Sequence, residues 1–203
     1  MDLANISLAL GSSLAAGLNL YLTVLTLGLL GRYEILSLPA ELEVLSHPWV
    51  LITAGVLFAI EFVADKVPYV DNLWDSIHAF IRVPAGALLA VGAMSDLPPE
   101  WLWPAGLVGG FITFSTHGAK SSLRLAVNAS PEPVSNIILS LAEDVTSFGL
   151  LWLVSQHPYL ALILAAVLFI VSLTILYTLF RFFRMVFSRL WGRSRRAVSP
   201  STG

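Results

Sequence analysis

The twenty residues Ser135–Val154, SNIILSLAEDVTSFGLLWLV, decide how this chain reads. A helix needs about 20 predominantly apolar residues to cross the hydrocarbon core of a bilayer. This run has that length and holds Glu143 and Asp144 near its middle. A carboxylate at that depth costs roughly 2.5 to 3.5 kcal/mol on insertion scales, so it normally faces a partner or a wet cavity. At helical spacing Asn136, Ser140, Glu143 and Ser147 share one face, and the other faces are mostly Ile, Leu, Val, Phe and Trp. The polar stripe is therefore expected to point inward, as an ion or solute site or as a structural ion pair that fixes helix packing.

Composition supports the membrane reading. Of the 203 residues 57% are hydrophobic and 12% charged, and the mean hydropathy is +0.81, too apolar for an ordinary soluble domain. The formal charge of −2 hides an asymmetry, since arginines crowd the C-terminal end while the first thirty-one residues carry no Lys or Arg. That argues against a nucleic-acid partner. The start of the chain lacks the basic n-region of a secretory signal, so Asn5–Leu30 reads as a retained helix. With no cysteine, disulfides and thiolate metal sites are excluded.

Outward from the acidic run, six apolar segments are expected in an all-α, polytopic transmembrane bundle. The first, about Ile6–Leu30, places Ser12, Ala16, Asn19, Thr23 and Thr26 on one packing face. Gly11 and Gly17 permit close approach or a local break. An acidic connection, Gly31–Ser46, leads to His47-Pro48, which opens the second segment; it stays apolar to Ile60 and then meets Glu61, Asp65 and Lys66 before Pro68. Glu61 and Asp65 lie one turn apart and repel unless a cation or proton intervenes. Asp71, Trp74, Asp75, His78 and Arg82 follow, interleaved with apolar residues, as a solvated loop or a re-entrant element dipping toward the bundle. The third segment, about Ile77–Met94, has a stripe of small residues, and Trp101 and Trp103 sit where an aromatic belt is expected.

In the fourth segment Thr113, His117, Lys120, Arg124 and Asn128 share a face, the cationic counterpart of the acidic stripe. A single histidine in such a place is more often a structural hydrogen-bonder than a ligand, and cations near a membrane end often only snorkel. The turn at Ser130-Pro131-Glu132-Pro133 can start the fifth helix. The sixth segment runs from Pro158 to about Phe180 and continues into an Arg-rich interfacial end. Residues 1–183 are read as one transmembrane domain and 184–203 as a basic, partly disordered cytoplasmic tail. Counting back through about six spans puts both termini in the cytoplasm and Gly31–Ser46, Ser95–Glu100 and Ser155–His157 outside, in an inner membrane. Laying helix four over helix one, Gly118 on Gly17, matches their polar faces, which reads as two inverted three-helix repeats, 1–96 and 101–183, with broken elements around 64–78 and 117–134.

Two sets of residues resemble a known family. The string Glu61-Phe62-Val63-Ala64-Asp65-Lys66-Val67-Pro68, with Asp71, Trp74-Asp75 and Arg82-Val83-Pro84-Ala85-Gly86, is one. The other is His117-Gly118-Ala119-Lys120, Arg124, Asn128, Ser130-Pro131-Glu132-Pro133, Asn136 and Glu143-Asp144. Both resemble domain-of-unknown-function family 4126 of bacterial integral-membrane proteins, over most of Leu3–Phe180. The resemblance implies a small polytopic membrane protein and supplies no activity.

The residues themselves point to a transporter or channel. Its ion- or solute-binding candidates are Glu61, Asp65, Lys66, Asp71, Asp75, Arg82, His117, Lys120, Arg124, Asn128, Asn136, Glu143 and Asp144. Adjacent buried carboxylates cannot all ionise cheaply, so the set is expected to take and release a proton. The alternatives are an anionic lipid or polyprenyl phosphate gripped by Lys120 and Arg124, and a structural or assembly protein. An enzyme is the weaker expectation: there is no His-Glu-x-x-His string, Gly-x-Ser-x-Gly elbow or phosphate-binding glycine loop. No cofactor is called for, no metal is identified, and small-residue faces permit a homo-oligomer. The lipid bilayer is the expected surrounding.

Overall fold

All secondary structure among the described residues is helical, as expected. The computed structural model describes residues 2–67, 69–128 and 133–197, with side chains to residue 185 apart from those of residues 133 and 183. The helices are α1 (Leu3–Leu18), α2 (Leu20–Arg32), a 3-10 helix (Ala40–Ser46), α3 (Pro48–Ala64), α4 (Val70–Ala93), α5 (Pro99–Asn128), α6 (Pro133–Gln156) and α7 (Pro158–Ala197).

Local chemistry explains most boundaries. Asp2 caps α1 by accepting from Ala4 N. A single extended residue, Asn19 (φ −147°, ψ 103°), separates α1 from α2, and its Oδ1 accepts from Leu22 N at 2.9 Å as the N-cap of α2. At the end of α2, Glu34 N donates to Gly31 O and Ile35 N to Leu30 O, a Schellman pair with Glu34 at φ 56°. His47 caps α3 through Nδ1, and Pro48 takes its first position, so the second segment opens where the sequence places it.

The course of the first two helices differs from expectation. α1 packs along α5 in the same direction. Asn5 Nδ2 donates to Asp96 Oδ2, Ser13 Oγ donates to Gly86 O, and Thr113 Oγ1 donates to Ser13 O. Gly17, further along, lies against Thr113 and Thr116. From Asn19 the chain turns back. Gly28 of α2 lies against Leu45 and Leu51, Gly31 against Leu38 and Ser46, and Leu42 of the 3-10 helix against Gly92 near the close of α4. Glu41 also accepts a hydrogen bond from Ser95, which holds its carboxyl below the usual carboxylate range. Both outer ends of α1 and α2 are thus at the Asp96 end of the bundle, and the pair forms a hairpin with its tip at Leu18–Asn19.

α3 then runs to the opposite end, where Glu61 pairs with Arg82 and Asp65 approaches Lys120. α4 returns, α5 goes back, α6 returns, and α7 follows α5, with Phe111 against Phe169 and Gly118 against Leu176. The first segment is therefore a hairpin, and the start of α1 and the far end of α7 lie at opposite ends of the bundle, whereas the expectation of both termini in the cytoplasm puts them at the same end. An inverted repeat would need α1 and α5 to run oppositely; they run the same way, whereas α3 and α6, and α4 and α7, are opposed.

Of the irregular elements expected at 64–78 and 117–134, the first is a short turn after Asp65, with Tyr69 at φ 70°, before an unbroken α4. In the second, α5 stays helical to Asn128, and residues 129–132 lie outside the described residues, as does Pro68. α7 continues as helix to Ala197, past the expected end near Phe180; residues 198–203 of the tail lie outside.

Three of the described helices are long and apolar enough to cross a membrane: Val70–Ala93, Val134–Gln156 and Pro158–Phe182. The 3-10 helix and α3, bent by 64° to each other, make a fourth if they form one span. Large apolar side chains such as Phe80, Leu88, Leu107, Ile138, Val145 and Ile163 face outward, which in a multi-pass membrane protein is the lipid side. Leu8, Leu14, Leu27, Leu150 and Leu151 form the buried core where α1, α2 and α6 meet.

A buried charge cluster at the tip of the hairpin

Four helix segments bring acids and bases to one place. The last turn of α3 supplies Glu61, followed directly by Asp65. The first turns and the middle of α4 supply Asp71, Asp75 and Arg82, the second half of α5 His117, Lys120, Arg124 and Asn128, and α6 Asn136, Glu143 and Asp144. All are buried, and Glu61, Asp71, Arg82 and Arg124 have 0% exposure. The local sequence helps: Asp71 sits in the positive first turn of α4 and accepts from Asn72 N, and Arg124 lies near the negative end of α5.

Three cations knit the acids together. Arg82 pairs with Glu61, and its Nη1 is 3.2 Å from Asp75 Oδ1. Lys120 Nζ lies 3.3 Å from Asp65, 3.5 Å from Glu143, 3.6 Å from Asp75 and 3.8 Å from Glu61. Arg124 pairs with Glu143, donates to Asp65 Oδ2 at 3.0 Å and to its backbone oxygen at 3.1 Å, and comes within 3.6 Å of Asp71. Asn128 Nδ2 bridges both oxygens of Asp71 at 2.9 Å, and Asn136 Nδ2 donates to Asp65 O. His117 Nδ1 accepts from Arg82 Nη1 at 3.0 Å, so its proton is on Nε2, which donates to Asp75 O at 3.1 Å. The histidine is a hydrogen-bonded positioner of Arg82 and Asp75.

Twelve of the thirteen candidate residues thus meet. Lys66 stands at the edge of the cluster: it folds back to donate to Phe62 O at 2.8 Å, with Nζ 3.0 Å from the Phe62 ring centroid, and forms no ion pair within 4 Å, though Asp144 and Asp65 are near enough to act on its charge. The residues missing from the sequence reading belong to the hairpin tip. Lys120 Nζ donates to Leu18 O at 2.8 Å, closing the end of α1, and Asn19 Nδ2 donates to Asp144 Oδ1 at 2.9 Å. The signal was present as an asparagine two residues after Gly17 in an otherwise apolar run, but it reads equally as part of a packing face.

Charge does not balance. Six carboxylates face three buried cations, with a fourth, the part-buried Lys66, at the edge, and Glu61 Oε2, Asp65 Oδ1 and Asp144 Oδ2 are buried without a hydrogen-bond partner. Buried ions cost several kcal/mol each unless paired and hydrogen-bonded, so an acidic excess of this kind calls for protons or a cation. Among the described residues no three His, Asp or Glu converge as a metal-binding group. No curated protein and no solved structure matches the chain. Residues 6–178 match the model of the family described as Domain of unknown function (DUF4126), and the chain belongs to that family.

Proposed function

We propose that this protein moves a small cation or proton across the membrane, alone or coupled to a solute, through the carboxylate cluster at the tip of the α1–α2 hairpin. The observation that carries the reading is the buried excess of acids over bases. A purely structural network is cheapest when balanced, and an imbalance of this size invites positive charge in and out. The hairpin supports the same reading, since helix ends meeting inside a bundle, next to ionisable groups, are a recurring plan of transporter sites. Handling of an anionic headgroup is the weaker alternative. Arg82, Lys120 and Arg124 are already turned toward carboxylates, so a phosphate would have to displace those pairs.

In this reading α3 to α7 cross the bilayer as one transmembrane domain, and the hairpin enters and leaves on the Asp96 side. By the same reading the arginines beyond Phe180 favour the cytoplasm for the far end of α7. Proteoliposomes with imposed proton, sodium or potassium gradients test it. Wild-type protein is expected to carry flux that Glu143→Gln and Lys120→Met lose while still eluting as folded protein. Absence of flux under every gradient would overturn the reading, and phospholipid or polyprenyl phosphate binding would then be measured.

A further inference from the structure

Five of the six clustered carboxylates have a cluster cation within 4 Å. Asp144 has no such ion pair among the described residues. Its Oδ1 accepts from Asn19 Nδ2, and its Oδ2 is buried without a hydrogen-bond partner. The cations that act on its charge are Lys120 of α5 and Lys66 from the turn after α3, with Asp65 opposing them. Lys120 is fully buried, donates to Leu18 O and lies within 4 Å of four other acids, so it is held where it is.

Lys66 is not held in that way. It is part-buried, and its ammonium rests on Phe62 alone, 2.8 Å from the carbonyl oxygen and 3.0 Å from the ring centroid. Of the charged groups that act on it, Asp144 does so most strongly, ahead of Asp65 and of Arg124, which repels it. An ammonium offers three protons on a flexible four-carbon stem, and Phe62 O takes one of them. Leaving Phe62 gives up a neutral acceptor and a ring face, whereas reaching Asp144 Oδ2 gains a charge-assisted hydrogen bond to an oxygen that has none. Moving inward also strips water from the ammonium, which offsets that gain. Two positions of similar free energy follow, and the structure shows the outward one. We infer that Lys66 is a tethered counter-ion for Asp144, alternating between the Phe62 ring and Asp144 Oδ2 and covering the carboxylate when a carried cation or proton has left it. The part played in transport rests on the reading above; the contact does not.

Two experiments on the full chain in lipid test it. In nanodiscs a hydrophobic carbodiimide activates buried carboxylates, and an amine in contact closes an amide that peptide mass spectrometry locates. A Lys66–Asp144 amide is expected in wild type and none in Lys66→Arg; an amide to Asp65 alone, or none, would overturn the alternation. In proteoliposomes, flux is followed against the concentration of whichever cation carries it: proton, sodium or potassium. Lys66→Met removes the competitor, so the half-saturating concentration should fall about threefold, as it does if the lysine covers Asp144 about two-thirds of the time. The maximal rate should fall with it, because release then strands a buried charge, and Lys66→Arg should restore most of both. A merely structural lysine would slow the rate without tightening half-saturation. Unaltered half-saturation in folded Lys66→Met would overturn the part in transport. The lysine variants stand at the edge of the cluster and keep the test valid should Asp144→Asn, which should abolish the amide, fail to fold. The amide without flux under any gradient would leave the contact and remove the transport reading; flux lost in Glu143→Gln, with no amide in wild type, would do the reverse.

Discussion

A buried asparagine is tolerable in an apolar run only when both ends of its amide find partners, and Asn19 finds them on two different helices. Its carbonyl oxygen caps α2, and its amide nitrogen holds Asp144. The two contributions separate by substitution. Asn19→Ser keeps a capping oxygen and loses the Asp144 bond, whereas Asn19→Ala loses both. Losing an N-cap costs about 1 kcal/mol, and stranding a buried carboxylate oxygen a further 1 to 3 kcal/mol or so. The expected order of thermal stability in detergent is therefore wild type, then Asn19→Ser, then Asn19→Ala. Equal melting of all three would mean that the tip is not held by this side chain.

At the scale of the elements, the approach of α1, α4 and α5 depends on small residues, as it must where no hydrophobic effect drives helices together in lipid. Gly86 is the tightest point: a Cβ there would lie 1.8 Å from Thr113 Oγ1. That hydroxyl shares its one proton between Ser13 O and Gly109 O, so it cannot retreat without weakening the bond that seats α1 against α5. Gly86→Ala is expected to destabilise by about 1 to 3 kcal/mol, the usual cost of overpacking. Thr113→Ser, which removes one crowding methyl, should recover part of that loss. A double-mutant cycle read by thermal melting checks it; simple additivity would mean that the two residues do not press on each other.

For the whole molecule, the hairpin makes a claim about sidedness that a continuous first span would not. The chain has no cysteine, so single cysteines report without background. Asn5→Cys, Ser37→Cys and Ser95→Cys should be labelled by an impermeant maleimide from one side of sealed vesicles, and Arg184→Cys from the other. Labelling of Asn5→Cys from the Arg184 side would restore the crossing that the sequence predicts and remove the hairpin.

What the sequence determined by itself was which residues are unsuited to lipid and on which helix face they lie. Apolar length marks the helices, and spacing of three and four aligned His117, Lys120 and Arg124 on α5 and Asn136, Glu143 and Ser147 on α6. Those inferences survive because helical periodicity is local and needs no knowledge of neighbours. Tertiary structure decided the rest. Whether the chain continues straight or reverses at Asn19 depends on two torsion angles and on what receives the freed helix ends, here Lys120 and Asp144. Lys66 stays at the edge of the cluster because, just past the end of α3, it folds back onto the carbonyl and ring of Phe62. Which acid goes without an ion pair within 4 Å among the described residues, Asp144 and not Glu143, follows from where α5 packs against α6, and no pattern along one helix carries that information.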